Sequence, residues 1–337
     1  MSILPVYVGL DYHQDAVQVC VMDSSGQVLL NRSCRNDWQE IVKRAAAFGD
    51  VRGAAIESCT GAADLADELV NRAGWQVDMA HPGYVARMKQ NPDKTDYSDA
   101  RLLADLERVG YLPKVWQAPL EVRELRMLVR YRQQLVAQRR NIKLRVGAIL
   151  RQQRIQQPAG GSWTKRWKAW LDSLNTLSRE GRWVIDRHLE QMTTVLVAIK
   201  QVEDRLAKAT SADPLVHALL VLSGIGQVTA WTIRAEIGRF DRFRNGKQLA
   251  RFCALTPHNA SSGNRQADAG LIKAGNRELR VVLIEAAHRL IRYDAKWRAF
   301  AVEMLRRGKP KCVVVAATAN RWIRSLFHEM QPSRLTA

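Results

Sequence analysis

The apolar pattern of this chain changes period near residue 115, so no single sheet or bundle accommodates both parts. Before that point Val6-Tyr7-Val8-Gly9-Leu10 runs into Asp11, Ala16 to Met22 alternates apolar and polar residues, and Ser24-Ser25-Gly26 turns the chain into Val28-Leu29. Period-two alternation broken by turn residues predicts a three-stranded meander. Two further short strands, Ala54-Ala55-Ile56 and Val77-Asp78-Met79, alternate with helical patterns over Trp38 to Phe48 and Ala62 to Ala73. That rhythm predicts a mixed α/β domain.

Beyond it, Glu121 to Gln157 reads as one long helix, with Leu128, Leu135, Ile142 and Ile149 spaced every seven residues as in a coiled-coil seam. Arg132 and Arg139 fall on the complementary seam positions, which weakens a simple zipper and favours a hairpin or a helix lying against a polyanion. Pro158-Ala159-Gly160-Gly161 breaks the helix. Ile185, Leu189, Met192, Leu196, Ile199 and Leu206 then form a second stripe able to pair antiparallel with the first. From Asp213 the pattern is compact and mostly helical, with turns at Ser223-Gly224-Ile225-Gly226, Ser261-Ser262-Gly263 and Ala274-Gly275-Asn276. The expected organisation is an α/β domain over 1–117, a basic helical linker and oligomerisation region over 118–210, and a helical domain over 211–330.

Lys and Arg number 52 against 33 Asp and Glu, a net charge of +19 that would repel itself strongly unless a polyanion lies against the protein. Nucleic acid fits that requirement. An anionic membrane surface is the weaker alternative, since the chain has neither a terminal basic amphipathic helix nor an apolar run of spanning length. Met1-Ser2-Ile3-Leu4 lacks the features of a secretory signal, so a cytoplasmic protein, nucleoid-associated if bacterial, is expected. The scattered Cys20, Cys34, Cys59, Cys253 and Cys312 form no C-x-x-C pair and are expected to be buried small hydrophobes rather than disulfides or zinc ligands.

Carboxylates carry the sharpest chemical signal. Asp11 ends the first strand, Glu57 ends a later one, and Asp96 and Asp99 stand three apart in Lys94-Thr95-Asp96-Tyr97-Ser98-Asp99-Ala100-Arg101. If that segment opens a helix, Asp96 and Asp99 share a face. Carboxylates clustered without histidine or cysteine are hard oxygen ligands suited to Mg²⁺ or Mn²⁺ rather than zinc. A pair of such ions activates a nucleophile and stabilises a leaving oxygen at a phosphodiester. The alternative is that Asp96 caps a helix, Asp99 sits in its first turn, and Asp11 and Glu57 are ordinary strand-end acids.

Gly9-Leu10-Asp11, Ile56-Glu57-Ser58-Cys59-Thr60-Gly61 and the Lys94–Arg101 block resemble the DEDD insertion-sequence transposases, a family that includes the Piv-type DNA invertases. Its N-terminal domain is similar to the Holliday-junction resolvase RuvC. The resemblance implies a ribonuclease-H/RuvC-like α/β domain, a coiled-coil linker and a mostly α-helical C-terminal transposase domain, with Asp11, Glu57, Asp96 and Asp99 as a metal-binding tetrad. Gln14 departs from the family pattern, in which many members carry lysine.

Leu222-Ser223-Gly224-Ile225-Gly226 followed by Thr229-Ala230 reads like a helix-hairpin-helix turn, whose glycines let backbone N–H groups approach a phosphate. A tight helix–helix turn without ligand needs the same glycines. Further on, Leu255-Thr256-Pro257, Ser261-Ser262-Gly263 and Ile272-Lys273-Ala274-Gly275-Asn276, then Leu279-Arg280, resemble the second block of the same transposases. In that family the serine before this glycine is the proposed DNA nucleophile, which carries over to Ser262 with Ser261 as its close alternative. By residue chemistry alone, Ser-Ser-Gly is an ordinary turn. A serine hydroxyl needs a base, a metal or a cationic neighbourhood to react. His258 lies four residues upstream, and Lys273, Arg277 and Arg280 are candidates to steady the charge.

Along the long helix Arg123, Arg126, Arg130, Arg139, Arg140, Lys143, Arg145, Arg151 and Arg154 read as phosphate contacts, the alternative being a solvated basic face. Trp163, Trp167 and Trp170 recur at helical spacing; they suit core packing, or stacking on unpaired bases. The leading expectation is a site-specific transposase or recombinase that acts on target and donor DNA through a covalent phosphoserine intermediate, as a dimer or tetramer. The resemblance implies that some members are guided by a structured bridge RNA. A junction-resolving nuclease using water, and a nucleic-acid-binding protein without catalysis, are the rival readings.

Overall fold

The computed structural model describes residues 5–89, 95–259 and 268–331. The chain divides into two compact units, Met1–Gln117 and Ala118–Ala337.

The first unit is a mixed sheet between helices. Its elements are β1 (Pro5–Tyr12), β2 (Ala16–Asp23), β3 (Val28–Arg35), α1 (Trp38–Ala46), β4 (Asp50–Glu57), α2 (Ala62–Ala73), β5 (Val77–Ala80), α3 (Pro82–Met88), α4 (Asp96–Arg108) and β6 (Lys114–Val115). Strand order is β3-β2-β1-β4-β5-β6. The expected meander forms: β2 pairs antiparallel with both β1 and β3, while β1 pairs parallel with β4 and β4 with β5. Val6, Val8 and Leu10 of β1, with Val17, Val19 and Val21 of β2, bury against Ile41 of α1 and Leu65 and Leu69 of α2. The opposite face holds Cys20, Met22 and Ala55 against Ala100, Leu103 and Ala104 of α4. Both faces are covered, which explains why β1 and β2 carry so few polar residues.

Gly9 sets how closely α4 approaches the sheet. A Cβ on Gly9 would lie 1.9 Å from the carbonyl oxygen of Ala100 and 2.5 Å from the amide nitrogen of Ala104. The helix backbone therefore rests directly on β1, a separation that only glycine permits.

The second unit comprises α5 (Leu120–Gln152), α6 (Lys165–Asp172), α7 (Arg179–Ala209), α8 (Pro214–Leu220), α9 (Gln227–Ile237), α10 (Gly246–Phe252), β7 (Pro257–Asn259), β8 (Asp268–Leu271), α11 (Arg277–Tyr293), α12 (Ala295–Arg306) and α13 (Lys311–Glu329). Helix α5 ends at Gln152 rather than Gln157, because Arg154 takes a left-handed φ of 57° and Ile155 N–H donates to the Leu150 carbonyl at 2.9 Å. That bond closes the helix end and packs Ile155 beside Leu150. Helices α5 and α7 run antiparallel. Arg132 bonds Glu203 at 2.8 Å near one end, and Gln153 donates to the Ser178 hydroxyl at 2.8 Å at the other. Leu125, Val129, Leu135 and Ile142 join Met192, Val195, Ile199 and Leu206 in a core that also takes in α9, α11 and α13. The helices of the expected linker thus share the core of the second unit.

The second unit is mostly helical, as expected, and also contains an antiparallel hairpin, Pro257↔Leu271 and Asn259↔Asp268; three exposed residues of β7 are too few to show an alternation in the sequence. One sequence expectation needs correction. Cys59 and Cys312 are exposed, and only Cys20, Cys34 and Cys253 are buried.

Replacing Gly9 by Ala is expected to destabilise the protein by about 3 kcal/mol or more in urea unfolding, since backbone on both sides blocks relief of the clash. Gly74→Ala, where nothing lies within 4 Å of an added Cβ but φ is +70°, should cost only about 1–2 kcal/mol. Equal effects of the two substitutions would contradict the close approach of α4.

Candidate metal centre

Strand alternation and the seating of α4 together build the acidic site. Side chains two apart on a strand share a face. Gly9 faces α4, so Asp11 does too. In the parallel neighbour Leu10 is level with Ile56; Ala55 faces α4 and Ile56 the opposite side, so Glu57 emerges on the α4 side beside Asp11. Helix α4 meets Gly9 through Ala100, one turn after Asp96 and next to Asp99. All four sequence-selected carboxylates therefore gather at the carboxyl ends of β1 and β4, where α4 begins.

The cap of α4 removes one role from Asp96. Thr95, not Asp96, is the N-cap: its hydroxyl accepts from the Ser98 amide at 3.2 Å, and Ser98 returns a bond to the Thr95 amide at 3.4 Å. Asp96 is thereby left free of capping. Its Oδ2 lies 3.3 Å from His13 Nε2, which also lies 3.4 Å from Asp11 Oδ2. Ligand atoms of Asp11, His13 and Asp96 all fall within 4.8 Å of one another, close enough to hold one ion. Asp99, 5% exposed, is turned toward Lys89, whose Nζ lies 2.6 Å from its Oδ1.

Burial raises the Asp11 carboxyl above its ordinary range; His13 pulls it back, and Asp96, Asp99 and Glu57 push it up again. Like charges held together at a half-buried place favour a proton or a cation. Carboxylates with a single imidazole fit Mg²⁺ or Mn²⁺ better than zinc.

His13 and Lys89 were not singled out from the sequence. His13 had a signal, two residues after Asp11 on the same strand parity. Lys89 had none, since it reaches Asp99 only through the packing of α3 and α4.

In the second unit the basic residues divide. Arg130 makes a paired contact with Glu236 at 2.9 and 3.0 Å, Arg126 lies 3.6 Å from the same carboxylate, and Asn276 donates to it at 2.7 Å. Glu236 is 2% exposed, so these partners satisfy a buried charge and tie α5 and α9 to the start of α11. Arg123 donates to the Ala118 carbonyl at 2.8 Å. Arg140 and Arg277 line a cavity of about 870 Å³ between α5, α9 and α11. Lys143 lies over the Trp163 ring, Arg145 is exposed, Lys273 is exposed, and Arg280 donates to the Ile272 carbonyl. Trp167 is buried against Val146, Leu150 and Ile185, and Trp163 and Trp170 flank it, which is the core use of that stripe.

Gly224 has φ +80°, and a Cβ there would meet Leu290 at 2.8 Å; Gly226 caps α9. Its turn serves packing between α9 and α11. His258 lies on exposed β7. Ser261 and Ser262 lie outside the described residues, in the connection between β7 and β8.

Comparison with known proteins decides what kind of molecule carries this acidic cluster. Residues 8–155 match the family described as Transposase, and residues 216–301 match the Transposase IS116/IS110/IS902 family. The chain belongs to the DEDD insertion-sequence transposases. The Coxiella burnetii transposase for insertion sequence element IS1111A is 26% identical over 93% of this chain and 86% of its own length. A putative transposase, y4qE, of Sinorhizobium fredii is 28% identical over 65% of this chain, an alignment spanning 54% of that relative. The transposase for insertion sequence element IS1533 of Leptospira borgpetersenii is 23% identical over 98% of this chain and 97% of its own length. The first matched family region contains all four carboxylates of this transposase, and the second contains Ser262. Among the described residues no helix is long and apolar enough to cross a membrane.

Because the Asp11 pKa is raised in the fold, the folded state holds its proton more tightly than the unfolded chain. Its contribution to metal-free stability is therefore favourable at low pH and is lost as pH rises from the ordinary 3.8 through the folded value. Asp11→Asn should remove that pH dependence without lowering the metal-free unfolding midpoint. In the wild type, Mn²⁺ at a hundred times its dissociation constant should stabilise by about 2.7 kcal/mol, less at lower pH, and the variant should show no such shift. An equal Mn²⁺ shift in Asp11→Asn would remove Asp11 from the site.

Proposed function

We propose that this transposase is a site-specific recombinase of an insertion sequence, cutting and rejoining target and donor DNA with divalent cations at Asp11, Glu57, Asp96 and Asp99 and with Ser262 as nucleophile. The convergence of Asp11, His13 and Asp96 within 4.8 Å, beside Glu57 and Asp99, carries this reading. A Mg²⁺ or Mn²⁺ ion there supplies Lewis acidity at the scissile phosphate. The protein's own part is to hold two carboxylates on strand ends and two on one helix turn, so that their geometry does not depend on a loop.

In the proposed reaction the Ser262 oxygen forms a bond to phosphorus as the bond to the departing strand breaks, and the departing oxygen takes a proton. Rejoining reverses the exchange: the DNA hydroxyl attacks the serine ester and Ser262 is released. One phosphodiester of DNA is exchanged for another between DNA and serine, so no external energy source is required. Lys273, Arg277 and Arg280 follow Ser262 within the same matched region and are proposed to neutralise the phosphate.

The same reading takes residues 1–117 as a ribonuclease-H/RuvC-like catalytic domain, supported by the mixed sheet and its acidic strand ends. It takes 118–210 as the linker and oligomerisation region of a dimer or tetramer, and 211–330 as the C-terminal transposase domain. Net charge +19 supports a complex with DNA and with a structured bridge RNA, in the cytoplasm at the nucleoid. Arg139, Arg140, Lys143 and Arg145 are the residues of α5 proposed to meet phosphates, with the glycine turn at Gly224 and Gly226 as a further backbone contact. Arg123, Arg126 and Arg130 have internal partners and contribute to the field around them.

A suicide substrate, nicked so that the departing strand diffuses away, should leave DNA covalently attached to the protein, with the adduct mapping to Ser262. Ser262→Ala should bind DNA and metal but form no adduct, whereas Ser261→Ala should retain activity. Free cleaved ends without adduct from active wild type would indicate a nuclease that uses water. Neutralising Arg139, Arg140, Lys143 and Arg145 together should flatten the log–log salt dependence of DNA binding by roughly one unit per lost phosphate contact. An unchanged slope would assign that face to solvent.

A further inference from the structure

Asp99 is the one carboxylate of the tetrad that lies deep in the first unit, and its ion partner is supplied by the protein itself. Its carboxylate is nearly inaccessible, and Lys89 Nζ lies 2.6 Å from Oδ1. The other acids behave differently: Asp11 and Asp96 turn toward each other and His13, and Asp99 is not part of that close group. Lys89 caps the end of α3, immediately before 90–94, and its side chain is largely covered. A small cleft of about 310 Å³ opens beside the pair, lined by Met88, Lys89, Tyr97, Asp99 and Arg101. An ammonium group moving away from Asp99 therefore has adjacent space to enter.

A buried carboxylate without a counter-charge is costly, and a lysine at contact distance offsets that cost in the way a bound cation does. The same ammonium opposes entry of a divalent cation, through like-charge repulsion and through occupation of the Asp99 oxygen. From this geometry we propose that Lys89 is a positioning residue that stands in for a cation at Asp99. A divalent ion using Asp99 must displace it, and the cleft, which Asp105 also lines, gives the displaced ammonium an acidic side to turn to. Lys89 thus keeps the acidic site folded in the absence of metal and sets the metal concentration at which Asp99 becomes a ligand.

This inference rests on the metal-binding reading of the carboxylates. Its test uses the full chain, Mn²⁺ alone as the probe, and two readouts that do not depend on DNA cleavage. Lys89→Met should lower the metal-free unfolding midpoint by several degrees. It should also raise Mn²⁺ affinity, read by calorimetry or by the free-Mn²⁺ resonance signal, by roughly tenfold. Lys89→Arg, which keeps the charge, should stay near wild type in both readouts, and Lys89→Gln provides the affinity measurement if the Met variant does not fold. A lysine that merely stabilises the fold would give the lower midpoint with Mn²⁺ affinity unchanged or weakened, and that result overturns the proposal. Failure of the underlying reading looks different: wild type itself would bind no Mn²⁺ that Asp11→Asn abolishes.

Discussion

The contact of α4 with β1 at Gly9 is the constraint on which the acidic site depends. With no side chain at that position, the Ala100 carbonyl and the Ala104 amide occupy space where a Cβ would stand. The first turn of α4 is thereby brought beside the carboxyl end of β1. Four acids from three separate segments then converge, although their mutual repulsion opposes it. Burial first, and that repulsion in addition, raise the Asp11 carboxyl above its ordinary range. Hydrophobic contacts of Cys20, Met22, Ala100 and Ala104 hold the helix down against it. A site of this kind is under electrostatic strain before any ligand arrives, and His13 and Lys89 moderate the strain from opposite sides.

The second unit neutralises its buried acid with its own side chains. Glu236 is almost fully buried, and Arg126, Arg130 and Asn276 converge on it. Asn276 also caps α11 by accepting from the Leu279 amide at 3.0 Å. The segment containing Lys273, which leads back toward Ser262 in sequence, is therefore anchored at its far end to both α9 and α5. Removing Glu236 would leave two guanidinium groups without their partner and loosen the start of α11. The network thereby fixes where α11 starts.

Much of the first unit was legible because period-two alternation and turn residues report directly on a meander, and because Asp11 and Glu57 stand where apolar strands end. The pairing of Asp96 with Asp99 was legible from their spacing on a helix. Lys89 was not, since its meeting with Asp99 is a product of tertiary packing. The arginines of α5 show the same limit. Arg126, Arg130 and Arg140 look alike in sequence, yet the first two serve a buried glutamate contributed from more than a hundred residues away. The hairpin of β7 and β8 was missed because its strands are too short to establish a period. Family resemblance supplied what pattern reading lacks, the association of an acidic cluster with a serine more than 150 residues further on.

The central claim is that these carboxylates form one divalent-cation site. Crystals of the full chain grown with Mn²⁺, recorded near the manganese absorption edge, test it directly. The account predicts an anomalous peak at bonding distance, about 2 Å, from both the Asp11 and Asp96 carboxylates. A protein that cleaves DNA in Mn²⁺ while showing manganese elsewhere, and none at Asp11 and Asp96, would contradict it.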